Sequence, residues 1–200
     1  MTDLTNYTGK TLERQTLDLK SKPKLTLQSL RPKSVLTKTV ILADISGSMS
    51  GHKMNCLKDA LHKVWSPHIE GIAFESNLWS FGKQDINQLQ AQGTTHMKEA
   101  LIEAWSTNPG HIVLLTDGYA NGGSSEVLDE VRHHPTPPID TVGIGGHGDY
   151  DRQMLEQIAL LTNGRFMDVA EPLKLTETLE ELLQLESGKL DNQAIESIQL

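Results

Sequence analysis

From Thr39 onward, short runs of aliphatic and β-branched residues alternate with segments whose apolar positions recur every three or four residues. The runs Thr39–Ala43, Ile69–Phe74, Ile112–Leu115, Ile139–Ile144 and Gly164–Val169 have the length and composition of buried strands. Between them, Met54, Leu57, Leu61, Val64 and Trp65 predict a helix that Pro67 closes. A second helix ends near Thr107, before Asn108-Pro109-Gly110. Val127, Leu128 and Val131 mark a third, for which Ser124 is a candidate cap, and Met154, Leu155, Ile158 and Leu161 mark a fourth. The last helix runs from about Pro172 to Ser187, with Leu175, Leu179, Leu182 and Leu183 on its inner side.

Glu75-Ser76-Asn77 reads as a turn, so Leu78 to Gly82 returns antiparallel as an edge strand, and residues 83–95 read as a polar loop. Strand and helix alternate throughout, which predicts an α/β fold with a mostly parallel sheet covered on both faces. The predicted domain spans residues 38–187, with a basic arm over 1–37, extended or partly disordered, and a tail over 188–200.

The most telling chemistry follows the first strand, where Asp44-Ile45-Ser46-Gly47-Ser48 alternates a carboxylate with two hydroxyls. A strand ending in Asp delivers that side chain to the carboxyl edge of a sheet, where open α/β folds collect ligands. All three side chains present hard oxygen, which Mg²⁺ requires in near-octahedral array. One short loop rarely fills six positions, and two later segments offer more donors: Gly93-Thr94-Thr95, and Thr116-Asp117-Gly118 at the end of Ile112–Leu115. Taken alone, the first motif could be a strand end followed by a cap from Ser48 or Ser50 to the helix beginning near Gly51.

The three motifs together, in this order over residues 38–186, resemble the von Willebrand factor A-type domain with its metal-ion-dependent adhesion site, in an intracellular, stand-alone form. The resemblance implies a Rossmann-like fold with an edge hairpin, and a metal site of Asp44, Ser46, Ser48, Thr95 and Asp117. Thr95 is preferred to Thr94 because it leaves Met97, Leu101 and Ala104 on one helical face. The implied cation is Mg²⁺ or Mn²⁺, with Ca²⁺ a further candidate. The implied function is non-enzymatic: a partner protein supplies an Asp or Glu to the ion, the partner being an ATPase, a kinase or another component of an intracellular assembly. Because the two Asp residues read as ligands at loop tips, their loss is expected to leave the fold intact.

Charge divides the chain unevenly. Residues 1–38 carry eight Lys and Arg against three Asp and Glu, whereas residues 39–200 carry ten against 23. A folded part this acidic argues against nucleic acid as a partner. No apolar run approaches the roughly 18 residues of a membrane span, and the first residues lack a charged segment leading into an apolar one, so a cytoplasmic location without membrane attachment is expected. Cys56, the single cysteine, reads as core filler.

Two rival readings follow from the same residues. Mg²⁺ with carboxylates also builds phosphoryl-transfer and hydrolytic sites, with Ser46 or Asp44 as nucleophile. Against this, no Walker-type loop, G-x-S-x-G or H-E-x-x-H occurs, and Lys53, the nearest cation, reads as a solvated helix residue. The other rival is a structural assembly protein whose metal only orders loops. His52, His96, Tyr119 and Asn121 are expected near the rim of the site, whereas the glycine-rich run Gly143–Gly148 reads as a turn.

Overall fold

The computed structural model describes residues 38–186. The expected arm and tail, and Ser187 at the end of the last predicted helix, lie outside the described residues. Six strands form one sheet: β1 (Thr39–Asp44), β2 (Ile69–Phe74), β3 (Leu78–Phe81), β4 (His111–Thr116), β5 (Ile139–Ile144) and β6 (Phe166–Val169). Their spatial order is β3-β2-β1-β4-β5-β6. All neighbours pair in parallel except β2 and β3, which form the antiparallel edge. The fold is therefore the expected α/β architecture, and every residue of β1, β4 and β5 is buried.

Five helices cover the sheet: α1 (His52–Val64), α2 (Met97–Ser106), α3 (Ser124–His133), α4 (Arg152–Thr162) and α5 (Leu175–Glu186). Because successive side chains of a strand point to opposite faces, Ile41 and Ala43 pack with Leu57 and Leu61 of α1 and Leu179 of α5. Val40 and Leu42 instead join Leu101 of α2, Val131 of α3 and Ile158 of α4 on the other face. Burying one full aliphatic side chain contributes about 1.5–3 kcal/mol, so these two layers dominate the stability of the sheet.

Several local expectations are corrected. Residues 83–88 form a 3₁₀ helix rather than an open loop, because Ile86 and Leu89 bury their side chains completely against α1 and its neighbours. Leu161 is 39% exposed, and Thr162 takes the inner position in its place, donating to the Ile158 carbonyl at 2.9 Å. Ser124 begins α3 without capping it; its hydroxyl instead donates to Asp151. The last strand is shorter than expected and starts at Phe166.

The strand order also locates the site. Connections from β1 run outward to β2 on one side, and those from β4 run outward to β5 on the other, so the β1–β4 pair is where the winding reverses. Loops leaving the carboxyl ends of these two strands diverge over opposite faces and leave a crevice between them. Asp44 ends β1, and Asp117 directly follows β4.

Candidate metal centre

The sequence places four of the five expected oxygen donors in buried positions around this crevice. Asp44 is 0%, Ser46 2%, Thr95 6% and Asp117 1% exposed. Ser48 is the exposed member. Its hydroxyl donates to Asp117 Oδ1 at 2.7 Å and lies 3.1 Å from Ser46 Oγ. The cap alternative is not realised, since α1 starts after Gly51 with no side-chain cap.

Thr95 is tied in through the backbone. Asn121 N–H donates to the Thr95 carbonyl at 2.9 Å, linking that loop to the segment after Asp117. Gly47 N–H donates to the Gly93 carbonyl at 3.2 Å, and Gln92 N–H to the Ile45 carbonyl at 2.8 Å, linking it to the loop after β1. Three segments remote in sequence are thus fixed to one another by main-chain hydrogen bonds before any ligand is considered.

Gly118 reveals the space they enclose. A methyl group built on its Cα would lie 3.1 Å from Thr95 Oγ1, 3.8 Å from Ser48 Oγ and 3.9 Å from Asp44 Oδ2. One oxygen from each of the Asp44 strand end, the Ser48 loop and the Thr95 loop therefore faces the same small volume. The donor set is hard and has only two formal negative charges. No group of three or more His, Cys, Asp or Glu suited to a metal occurs among the described residues. Two carboxylates and three hydroxyls fit Mg²⁺ or Mn²⁺ and do not fit a soft-metal site.

Asp44 is held at a cost. Burial pushes its carboxyl up to about 6, against the opposing effect of hydrogen bonds from Thr116 and Ser46, and the nearby Asp117 charge adds to the rise. The Thr116 hydroxyl donates to Asp44 Oδ2 at 2.5 Å, and Ser46 N–H donates to Oδ1 at 2.8 Å. The expectation that Asp44 is a surface ligand at a loop tip is thus corrected: it is fully buried and accepts from two donors.

Lys53 also departs from expectation. Its side chain is 23% exposed rather than solvated, and its ammonium lies 2.6 Å from Asp117 Oδ2 and 3.8 Å from Asp149 Oδ2. The spacing places Lys53 on the first turn of α1, directly after the loop that carries Ser48, so the helix start aims it into the crevice. That position was legible in the sequence, but the ion pair with a residue 64 positions away was not. Thr116 was likewise visible beside Asp117 without its role being evident. Glu75 is 4% exposed and accepts from Ser76 N–H and from Asn77 Nδ2 at 3.1 Å. Gly93 (φ +66°) passes so close that a Cβ there would lie 2.1 Å from Glu75 Oε2, which makes glycine necessary just before Thr95.

Of the expected rim residues, Tyr119 is 56% exposed and its hydroxyl donates to the Gly148 carbonyl at 3.3 Å. His96 is held by its Nδ1, 2.8 Å from the Glu75 carbonyl. His52 Nε2 lies 3.6 Å from Cys56 Sγ. Cys56 itself is buried, and burial, followed by the charge of Asp59, pushes its thiol up.

The sequence pattern of the von Willebrand factor type A domain matches residues 37–67 and 82–168. The chain belongs to this family. It is 28% identical over 170 residues to inter-alpha-trypsin inhibitor heavy chain H3 of Bos taurus, an alignment covering 66% of this chain and 18% of the relative. It is 26% identical over 155 residues to von Willebrand factor A domain-containing protein 3A of Homo sapiens, covering 65% of this chain and 13% of that protein. The chain therefore spans less than a fifth of the length of these relatives. Among solved structures, a von Willebrand factor type A protein from Catenulispora acidiphila superposes with a TM-score of 0.66 at 22% identity, over 75% of this chain and 42% of that one. At that identity the likeness concerns the fold. No helix among the described residues is long and apolar enough to cross a membrane.

Proposed function

We propose that the chain is a metal-dependent protein-interaction module in which Asp44, Ser46, Ser48, Thr95 and Asp117 hold Mg²⁺ or Mn²⁺. The observation that supports this is the convergence of oxygens from the loop after β1 and from the Thr95 loop on the space above Gly118, which follows Asp117 in the third cross-linked segment. A divalent cation there supplies the positive charge that an Asp or Glu of a partner protein recognises. Because three of the five donors are neutral hydroxyls, the two carboxylates at most balance the ion's two charges and do not leave the site net negative toward an incoming acid. Ser48 faces solvent and keeps the site accessible from outside, while Tyr119, exposed two residues after Asp117, offers a contact for the partner.

The reading is non-enzymatic. The cation that a phosphoryl-transfer site needs is present in Lys53, but its ammonium is held by Asp117 at 2.6 Å. Neither Ser46 nor Ser48 has a histidine or lysine base among its hydrogen-bond partners. By family resemblance the partner is a component of an intracellular assembly, such as an ATPase or a kinase, and the module acts there as a cytoplasmic adaptor.

The test is capture of partners by the immobilised chain in Mg²⁺ and in EDTA, with Gly118→Ala as control. The expected result is a partner held by the wild type in Mg²⁺, released by chelation and absent from the variant. Partners retained equally in EDTA would contradict it.

A further inference from the structure

We infer that Lys53 is a tethered counter-cation that occupies Asp117 in the metal-free protein and passes to Asp149 when a divalent ion binds. This inference rests on the proposed metal site. Asp117 is 0% exposed in its side chain, and an unpaired buried carboxylate is strongly disfavoured. Without an ion in the site, the charge is met by Lys53, whose Nζ donates to Oδ2 at 2.6 Å. The same Asp117 carboxylate accepts from the Ser48 hydroxyl at 2.7 Å through its other oxygen, Oδ1, so both of its oxygens are engaged. An incoming divalent ion must therefore compete with a positive charge already in contact with one of its two anionic ligands.

A second acceptor stands close by. Asp149 Oδ2 is 3.8 Å from the ammonium, and its side chain is 49% exposed. Asp149 Oδ2 also accepts from Gly146 N–H at 2.8 Å, which fixes it to the turn after β5. The Gly148 carbonyl of that turn receives the Tyr119 hydroxyl at 3.3 Å. Transfer of the ammonium from Asp117 to Asp149 thus adds a charge-assisted bond to the loop that supports Tyr119, on the rim where a partner docks. Occupancy of the site and order of the rim become linked through one flexible lysine stem.

This role and a merely structural one differ in sign. If Lys53 only holds Asp117 in place, its loss weakens both the metal-free fold and ion binding. As a competitor, its loss weakens the metal-free fold but strengthens ion binding.

The test titrates Mn²⁺ alone into the full chain at pH 7.5, following free ion by electron paramagnetic resonance, for wild type, Lys53→Met, Lys53→Arg and Asp149→Asn. Thermal melts in EDTA accompany it. The net worth of a charge-assisted hydrogen bond corresponds to about tenfold or more in an equilibrium constant. Lys53→Met should bind Mn²⁺ about tenfold tighter while melting several degrees lower in EDTA. Lys53→Arg should stay close to wild type. Asp149→Asn, which removes the second acceptor, should bind Mn²⁺ more weakly. Equal or weaker Mn²⁺ binding by Lys53→Met, with wild-type binding intact, would overturn the competitor role alone. Absence of Mn²⁺ binding in both wild type and Lys53→Met would overturn the metal site itself, and this inference with it.

Discussion

Thr116 donates its hydroxyl to Asp44 Oδ2 at 2.5 Å, joining two fully buried residues 72 positions apart at the ends of adjacent parallel strands. The same Thr116 oxygen accepts from Gly118 N–H at 3.1 Å. One hydroxyl thereby orients a carboxylate of the site and fixes the backbone that forms its floor.

Thr116→Val keeps the shape and removes both bonds. It should lower unfolding free energy by about 1–3 kcal/mol, the cost of leaving buried partners unsatisfied. It should also push Asp44 further up and weaken divalent binding at neutral pH. Urea unfolding and Mn²⁺ titration measure the two effects; an unchanged affinity would mean that Asp44 does not depend on this bond for its charge.

Asp44 gives the metal-free protein an unusual pH response. Its folded value of about 6 stands above its ordinary 3.8, chiefly through burial, so the fold holds this proton more tightly than the unfolded chain does. Lowering the pH from 7 through 6 toward 4 therefore stabilises the metal-free fold, by up to about 3 kcal/mol. Asp140 acts in the opposite sense. Burial pushes it up, but hydrogen bonds from His111 and Arg165 outweigh this and hold its carboxyl below the ordinary value. Its contribution is present above pH 3.8 and is lost below it as the carboxyl protonates. Stability measured in EDTA should rise as pH falls from 7 and then decline below about pH 4. A steady decline from pH 7 downward would contradict the burial of an ionised Asp44.

Gly118→Ala tests the enclosed space directly. The new methyl would stand 3.1 Å from Thr95 Oγ1, where the proposed ion belongs, and no left-handed backbone angle is required at this position. Divalent affinity should fall more than about tenfold, while overpacking should cost about 1 kcal/mol of stability. Calorimetric titration and thermal melting together check it; wild-type affinity in this variant would place the ion elsewhere.

Much of this was readable from the chain, and the exceptions share a cause. The mostly parallel sheet, its antiparallel edge and the helical cover followed from strand runs and helical periodicity, because burial on two faces makes the centres of β1 and β4 continuously apolar. Residues 83–88 read as loop because Ile86 is the one apolar residue among them, too few to show a period. For the site, spacing supplied the residues but not their electrostatics. Nothing local shows that Asp44 is fully buried or that Lys53 meets Asp117, since both depend on how β1, α1 and β4 come together.

The same limitation hid a buried cluster at the opposite edge of the sheet. Asp140, near the start of β5, meets His111 Nε2 at 3.2 Å and Arg165 Nη2 at 2.5 Å. Arg165 Nη2 also donates to the Leu182 carbonyl of α5 at 3.0 Å. Asp140→Ala should cost about 3 kcal/mol, because it removes one partner of a largely buried ionic cluster. Divalent affinity should be unaffected, since the site lies at the other ends of the strands. A parallel loss of Mn²⁺ binding in the still-folded variant would show that the two edges are coupled.

The central claim, an ion held by five side chains and open to an outside carboxylate, is tested most directly by water-proton relaxation of Mn²⁺ bound to the protein. The account expects a strong enhancement on binding, abolished in Gly118→Ala, that falls as acetate and then an Asp-containing peptide are titrated in and take the place of exchanging water. Failure to bind Mn²⁺, or an enhancement that carboxylate leaves untouched, would contradict it.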